Sequence, residues 1–339
     1  MKPRTIYRKT FGFVLLRLLL QGLFALVSVG FLYLIYLMAT KTTLKYAAIA
    51  AVGLWVIITL IAIPIVRKFA AYQLRAAHIA AVAATVNEGK APKHVIKYGM
   101  TKVKERFPVT SAYYFVHNLV DAAVRQLQKL LVTAVGDISF VAAGFGSVDK
   151  MIHTYMKIAV GEVDDCCLAY TFMHKTQGPL QSACDGVVIY ASNWQTLMKH
   201  AAKTFFWSMM MVAIFTLIPF AVAFIGFFGF QSHSIWMIPA LLIAGYLATG
   251  FKRAVVDSYN MVRMVTHFYE CASEAILPQE YYDELAELSG KFKRLYRAAK
   301  KEKREEKDDR RRKRKEARFK EAVQRDNPDP AKKDEEEST

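Results

Sequence analysis

Four runs of apolar residues, arranged as two pairs, dominate the pattern along the chain. The first, Leu18 to Ala39, holds 22 residues with Gln21 as its only strongly polar side chain. The second, Tyr46 to Val66, is uncharged and follows after the short link Thr40 to Lys45. The third, Phe205 to Phe230, and the fourth, Ser234 to Phe251, are also uncharged, with only Gln231, Ser232 and His233 between them. A bilayer core requires about 20 helical residues. The pattern therefore predicts four transmembrane helices in two tight hairpins. Pro64, Pro219 and Pro239 would break soluble helices, but lipid-embedded helices tolerate them as kinks packed against neighbours.

Between the hairpins the period changes. Phe69 to Val86 is alanine-rich and helical by propensity. Asn87, Glu88 and Gly89 end it, and Pro92 follows. Lys90 to Arg106 is a basic strip that suits either lipid headgroups or a solvated loop. Helical spacing of Leu119, Ala122, Ala123, Leu127, Leu130 and Leu131 predicts a helix over Thr110 to Val135. Leu130 to Val148 carries Asp137 as its sole charge together with three glycines. Three placements are open for it: a re-entrant segment, an interfacial one, or a buried core helix. Met151 to Met173 reads as a helix with a charged stripe at Glu162, Asp164 and Asp165. Leu180 to Ala202 reads as another, leading into the third span. After the fourth span, Val255, Tyr259, Val262, Val265 and Phe268 mark an amphipathic helix over Lys252 to Ile276, stopped by Pro278. A further helix starts at Tyr281 and runs to Ala299. No alternating strand pattern is visible.

The expected class is thus an all-α, polytopic integral membrane protein with a helical cytosolic region. Its parts are an N-terminal membrane hairpin (1–66), a cytosolic or interfacial helical region (67–204), a second membrane hairpin (205–251), amphipathic cytosolic helices (252–290) and a basic tail (291–339). Charge sets the orientation. Lys2, Arg4, Arg8 and Lys9 precede the first span, Arg67, Lys68 and Arg75 follow the second, Lys199 and Lys203 precede the third, and Lys252 and Arg253 follow the fourth. The opposite loops carry only Lys41 and Lys45. The positive-inside rule places both termini in the cytosol and disfavours a fifth full span. Arg17, at the inner rim of the first span, is expected to snorkel to the headgroups. The N-terminus has no A-x-A-like cleavage site after its apolar run and reads as an uncleaved anchor.

Composition adds one feature. The 339 residues carry a net charge of +17, and the mean hydropathy of +0.17 excludes a wholly disordered chain. Lys291 to Arg325 holds 18 basic and 7 acidic residues. Favourable i,i+4 pairs such as Glu306–Arg310 and Asp309–Lys313 predict a solvated helix there, with almost no apolar face. Lys301, Lys303, Arg304, Arg310, Arg311, Arg312, Lys313, Arg314 and Lys315 are its candidate contacts. They suit anionic lipid headgroups, or RNA or a ribosome, where backbone charge dominates and salt weakens binding. A topology and solubility device with no specific partner fits the same charges. Asn327 to Pro330 ends the helix, and the acidic last nine residues are expected to be disordered.

Catalytic signatures are missing. There is no Walker A loop, dinucleotide-binding glycine pattern, H-E-x-x-H or G-x-S-x-G. Asp164, Asp165, Cys166, Cys167, His174, Cys184 and Asp185 hold zinc-ligand chemistries. Adjacent cysteines on a helix point about 100° apart, however, and no C-x-x-C occurs. Reduced thiols packed as small apolar groups are the expected state. No metal and no cofactor is expected. The four spans lack Asp, Glu, Lys, Arg and His, which argues against a proton relay through them.

From about Asp164 to Glu274 the chain resembles the C-terminal part of the choline transporter-like family. The residues that carry this are DDCCLAY, then CDGVVIYASNWQTLMKHAAKTFFW leading into a span, then WMIPALLIAGYLATGFKRAVVDSYNMVRMVTHFYECASE. This chain has fewer spans than that family and lacks its large extracellular loop, so no substrate-binding residue is carried over. The resemblance implies a transport-like ancestry. Two functions follow from the sequence. One is a non-enzymatic, membrane-anchored interaction or scaffold protein that works through its cytosolic helices and tail. The other is a small-solute transporter or channel. It would act as a homo-oligomer, because four spans enclose little volume and Gly245, Ala248 and Gly250 suit helix packing.

Overall fold

Pro3 opens the first helix, its fixed φ suiting a helix start. This helix, α1 (Pro3–Lys9), keeps Arg8 and Lys9 in its last turn, where they oppose the helix dipole. Thr10 ends it, its hydroxyl donating to the Ile6 carbonyl at 3.1 Å. The chain then bends by 57° into α2 (Phe11–Thr40). The computed structural model describes residues 1–40, 63–107, 115–127, 163–174, 176–229 and 248–326, with single positions at 46, 50, 53, 54, 57 and 245. The segment 130–148, the links 41–45 and 231–233 and the acidic end lie outside the described residues.

Every element among the described residues is a helix. The helix α3 (Ile63–Glu88) is longer than the alanine pattern alone predicts, because it continues from the end of the second apolar run. Gly89 at φ +65° ends it in the left-handed region that favours glycine. Then come α4 (Val95–Arg106) and α5 over 115–127. The helix α6 (Val163–Met173) is the described part of the predicted 151–173 helix. Next is α7 (Pro179–Gly229), 51 residues long. A cytosolic helix followed by a separate span was expected. The structure has one continuous helix with a kink at Asn193, where φ is −113° and ψ 16°. Asn193 and Ser192 bond back to the Ile189 and Val188 carbonyls at 3.1 and 2.7 Å, and such back-bonding bends helices.

A π-helical turn, Lys252–Val256, leads into α8 (Asp257–Ser273). Pro278 precedes α9 (Gln279–Leu288). Ser289 interrupts the predicted 281–299 helix, and its hydroxyl caps α10 (Gly290–Asp326) by accepting from the Phe292 amide at 3.1 Å. Gln126 of α5 accepts from both Ser289 Oγ and the Lys291 amide, which ties this corner to the body.

The core lies where α3, α6, α7 and α8 meet. Ala76, Ala77, Ala80, Ala81 and Ala83 are fully buried along α3, and their small side chains let α4, α6 and α8 approach closely. Val187, Val188, Leu168, Val262, Val265 and Phe268 fill the centre. Each side chain of this size contributes about 1.5–3 kcal/mol on full burial.

Two helices leave the opposite surface bare. Leu15, Leu19, Leu23 and Leu26 form an exposed stripe on α2, with Leu26 71% exposed. Met210, Ile214, Leu217 and Phe224 do the same on α7. Among the described residues no single helix is long and apolar enough to cross a membrane; the bent pair of α1 with 11–27 of α2 meets length and composition together.

Candidate functional site

Charged side chains gather in a buried layer where α2, α3, α6 and α8 meet. Arg75 of α3 grips Asp165 of α6 through both Nε, at 2.9 Å from each carboxylate oxygen, and Nη2, at 2.5 Å. Arg17 of α2 donates from Nη1 to Ser258 Oγ at 2.6 Å. Its Nη2 is buried with no hydrogen-bond partner. Arg17 therefore turns inward rather than snorkelling, because α8 offers it a hydroxyl inside the bundle. Asp164 and Asp165 of the charged stripe are buried too, since α3 and α5 cover that face of α6.

Burial decides the protonation of the neighbouring groups. It pushes the Asp164 carboxyl up to about 8, with the negative charge of Asp165 adding to the effect. It also pulls the His117 imidazole down. Both shifts favour the uncharged forms across their 3.4 Å contact. His78 is fully buried, stacked on Phe13 with Nε2 3.2 Å from Thr10 Oγ1, and burial lowers its pKa as well.

A pH prediction follows. The folded Asp164 value lies above its ordinary 3.8, so its contribution is fully present below about pH 4 and is lost as pH rises towards 8. Asp164→Asn removes the penalty. Its melting temperature relative to the parent is expected to climb steadily from pH 5 to pH 8 in detergent. A difference that does not change with pH would contradict the buried-acid account.

The second feature is the tail helix. Its base is not solvated as expected: Phe292, Leu295, Tyr296 and Ala299 of α10 are buried against the body. The Tyr282 hydroxyl donates to Asp185 Oδ1 at 2.7 Å beside them. Further on, Glu302 Oε2 accepts from the Leu180 and Gln181 amides, at 2.9 and 3.1 Å. These are first-turn amides of α7, so Glu302 acts as a cap supplied from another helix. A Cβ at Gly178 would overlap the Glu302 carboxylate, so a side chain there would have to push that carboxylate, and its cap, aside.

Glu302→Ala is expected to cost about 1–2 kcal/mol, the usual worth of a helix cap. Hydrogen exchange should speed up at Leu180, at Gln181 and along 291–302. Unchanged protection there would mean that α10 is held by its apolar base alone.

Past Glu302 a cleft of about 670 Å³ opens between α10 and the start of α7. Lys303, Lys307, Arg310, Arg311 and Arg314 line one wall, and Gln177, Gly178 and Gln181 line the other. The structure thus divides the predicted tail contacts. Lys303, Arg310, Arg311 and Arg314 share the cleft, with Arg310 3.9 Å from Glu306. Lys301, Arg304, Arg312, Lys313 and Lys315 are exposed outside it; Lys301 pairs with Glu305 and Lys313 with Asp309. Sequence reasoning missed Lys307, although it lies four residues from both Lys303 and Arg311 and so on their face. It also missed Glu302, for which no local signal exists.

Among the described residues no three His, Cys, Asp or Glu side chains could hold a metal ion. Burial raises the pKa values of the Cys167 and Cys184 thiols, which suits packing rather than nucleophilic attack. No protein-family model, curated protein or solved structure matches the chain. The likeness to the choline transporter-like family rests on the quoted residues.

Proposed function

We propose that the chain is a non-enzymatic, multi-pass membrane protein that anchors a helical cytosolic body and presents its basic tail helix to a polyanionic partner. The observation that carries this reading is the pair of exposed apolar stripes on α2 and α7, helices whose other parts enter the body. Water would penalise such stripes, whereas lipid would not. Both termini face the cytosol in this reading, because every strongly basic flank lies on that side. Beyond Lys307 the tail extends as a helix whose side chains are exposed through Lys320, with Arg310, Arg311 and Arg314 on the side that faces the cleft.

The test compares the full chain in phosphatidylcholine nanodiscs with a version ending at Glu302, which keeps the packed base of α10. A fluorescent 20-nucleotide RNA serves as the polyanion. Binding is expected only with the full chain, and its logarithm should fall linearly with the logarithm of salt concentration. Equal binding by both proteins would overturn the tail reading.

The buried charge layer favours a second reading, an oligomeric transporter of small solutes. Arg17 Nη2 and Asp164 Oδ1 are buried without a hydrogen-bond partner, which leaves a donor and an acceptor for a solute to engage. Labelled choline is the probe. Uptake into proteoliposomes that survives truncation after Glu302 would favour this reading over the first.

A further inference from the structure

The cleft between α10 and the start of α7 has the dimensions of a small-molecule site, which run from about 300 to 1,000 Å³. Its cations occupy one helical face from Lys303 to Arg314, about 17 Å of helix. Two acids share the wall. Glu302 is already engaged by two backbone amides, and Glu306 lies 3.9 Å from Arg310. The buried base of α10 and the Glu302 cap fix this face relative to α7, so the cations are positioned before any ligand arrives.

The depth of the cleft below the bilayer selects the ligand. Phe268 of α8 lies 16 residues beyond Lys252, about 24 Å of helix. Its ring meets Tyr170 at 6.3 Å between centroids, Tyr170 stacks on His174, and Arg106 bridges the His174 carbonyl to Ser182. Ser182 is one turn from Gly178 in the cleft wall. An independent path along α3 agrees: Asn87 is 20 residues beyond Arg67, about 30 Å of helix, and bonds Tyr269 next to Phe268. Charges separate from headgroups by about 8 Å per Debye length at physiological salt. With α8 and α3 running along the bilayer normal from Lys252 and Arg67, as the membrane-anchored reading has them, the cleft lies about three such lengths from its own bilayer, where attraction to headgroups is largely screened.

We propose that this cleft binds a compact, soluble multiphosphate anion. The proposal rests on the membrane-anchored reading, which sets the depth. The same phosphate chemistry occurs on free inositol polyphosphates and on phosphoinositide headgroups, so both sources enter the test.

The full chain in phosphatidylcholine nanodiscs is titrated calorimetrically with inositol hexakisphosphate. One-to-one binding is expected. The triple variant Lys307→Glu, Arg311→Glu, Arg314→Glu should weaken it at least tenfold. The variant Lys301→Glu, Arg312→Glu, Lys313→Glu makes the same change in net charge at positions that do not line the cleft and should change it less than twofold. All substituted positions are exposed, and melting temperatures confirm that both variants stay folded. Equal loss in both variants would overturn the cleft while leaving the anchored polyanion binder in place. Binding of the 20-nucleotide RNA without binding of the hexakisphosphate would do the same. Failure of both probes would remove both readings. Phosphoinositide in separate vesicles that competes with the soluble probe would support the chemistry. Binding to phosphoinositide only within the protein's own nanodisc would overturn the depth argument.

Discussion

Arg75→Ala is expected to destabilise the folded protein by about 3 kcal/mol, the lower end of the range for breaking a buried ion pair. Asp165 is 1% exposed and Arg75 39%, so the carboxylate has the greater need of its partner. Removing the guanidinium leaves that charge in the core. The double variant Arg75→Met, Asp165→Leu removes both charges and is expected to recover most of the loss, since apolar replacements of buried pairs are often neutral or better. Unfolding titrations of the three proteins in detergent would measure this. A loss below about 0.5 kcal/mol for the single variant, the level of an exposed pair, would mean that water reaches Asp165.

Gly99→Ala should have an effect of similar size and of a sign opposite to helix propensity. In an open helix this change stabilises by about 1 kcal/mol. Here the added Cβ would overlap the Ala77 carbonyl oxygen and press on the Phe13 ring at 2.9 Å. A backbone atom cannot swing aside as a side chain does, so α3 and α4 must separate. The expected cost is about 3 kcal/mol, at the upper end for overpacking. Gly22→Ala is the control, because nothing lies within 4 Å of its Cβ position, and its melting temperature should rise, in line with a gain of up to about 1 kcal/mol. Similar behaviour of the two variants would show that the α3–α4 contact is looser than described.

Much of the helical layout was legible because helices announce themselves locally. Gly89 ends α3 and Pro278 precedes α9, as their backbone preferences require. What the sequence concealed is tertiary. Asp164 and Asp165 read only as a charged stripe, because neighbours in sequence do not reveal that Arg75, 90 residues from Asp165, pairs with it inside the fold. Phe292, Leu295 and Tyr296 sit in so basic a stretch that average polarity hides their common face. Glu302 caps a helix that begins 123 residues earlier, and nothing beside it in sequence marks that role. Arg17 was misjudged for the same reason: its hydroxyl partner Ser258 comes 241 residues later.

The π-turn at Lys252–Val256 has a consequence for which changes in chain length the protein can accept. Such a turn carries one residue more than α-helical winding would use. Each residue adds about 100° of rotation. Deleting one residue there would let the turn relax into α-helix, and Gly250 beside Gln21, Phe251 on Phe215 and Ser258 beside Arg17 would keep nearly the same facing. Deleting one residue within α8 itself has no such slack and would turn its two ends against each other by about 100°. The chain can thus shorten by one residue at this turn, where the regular helix beside it cannot.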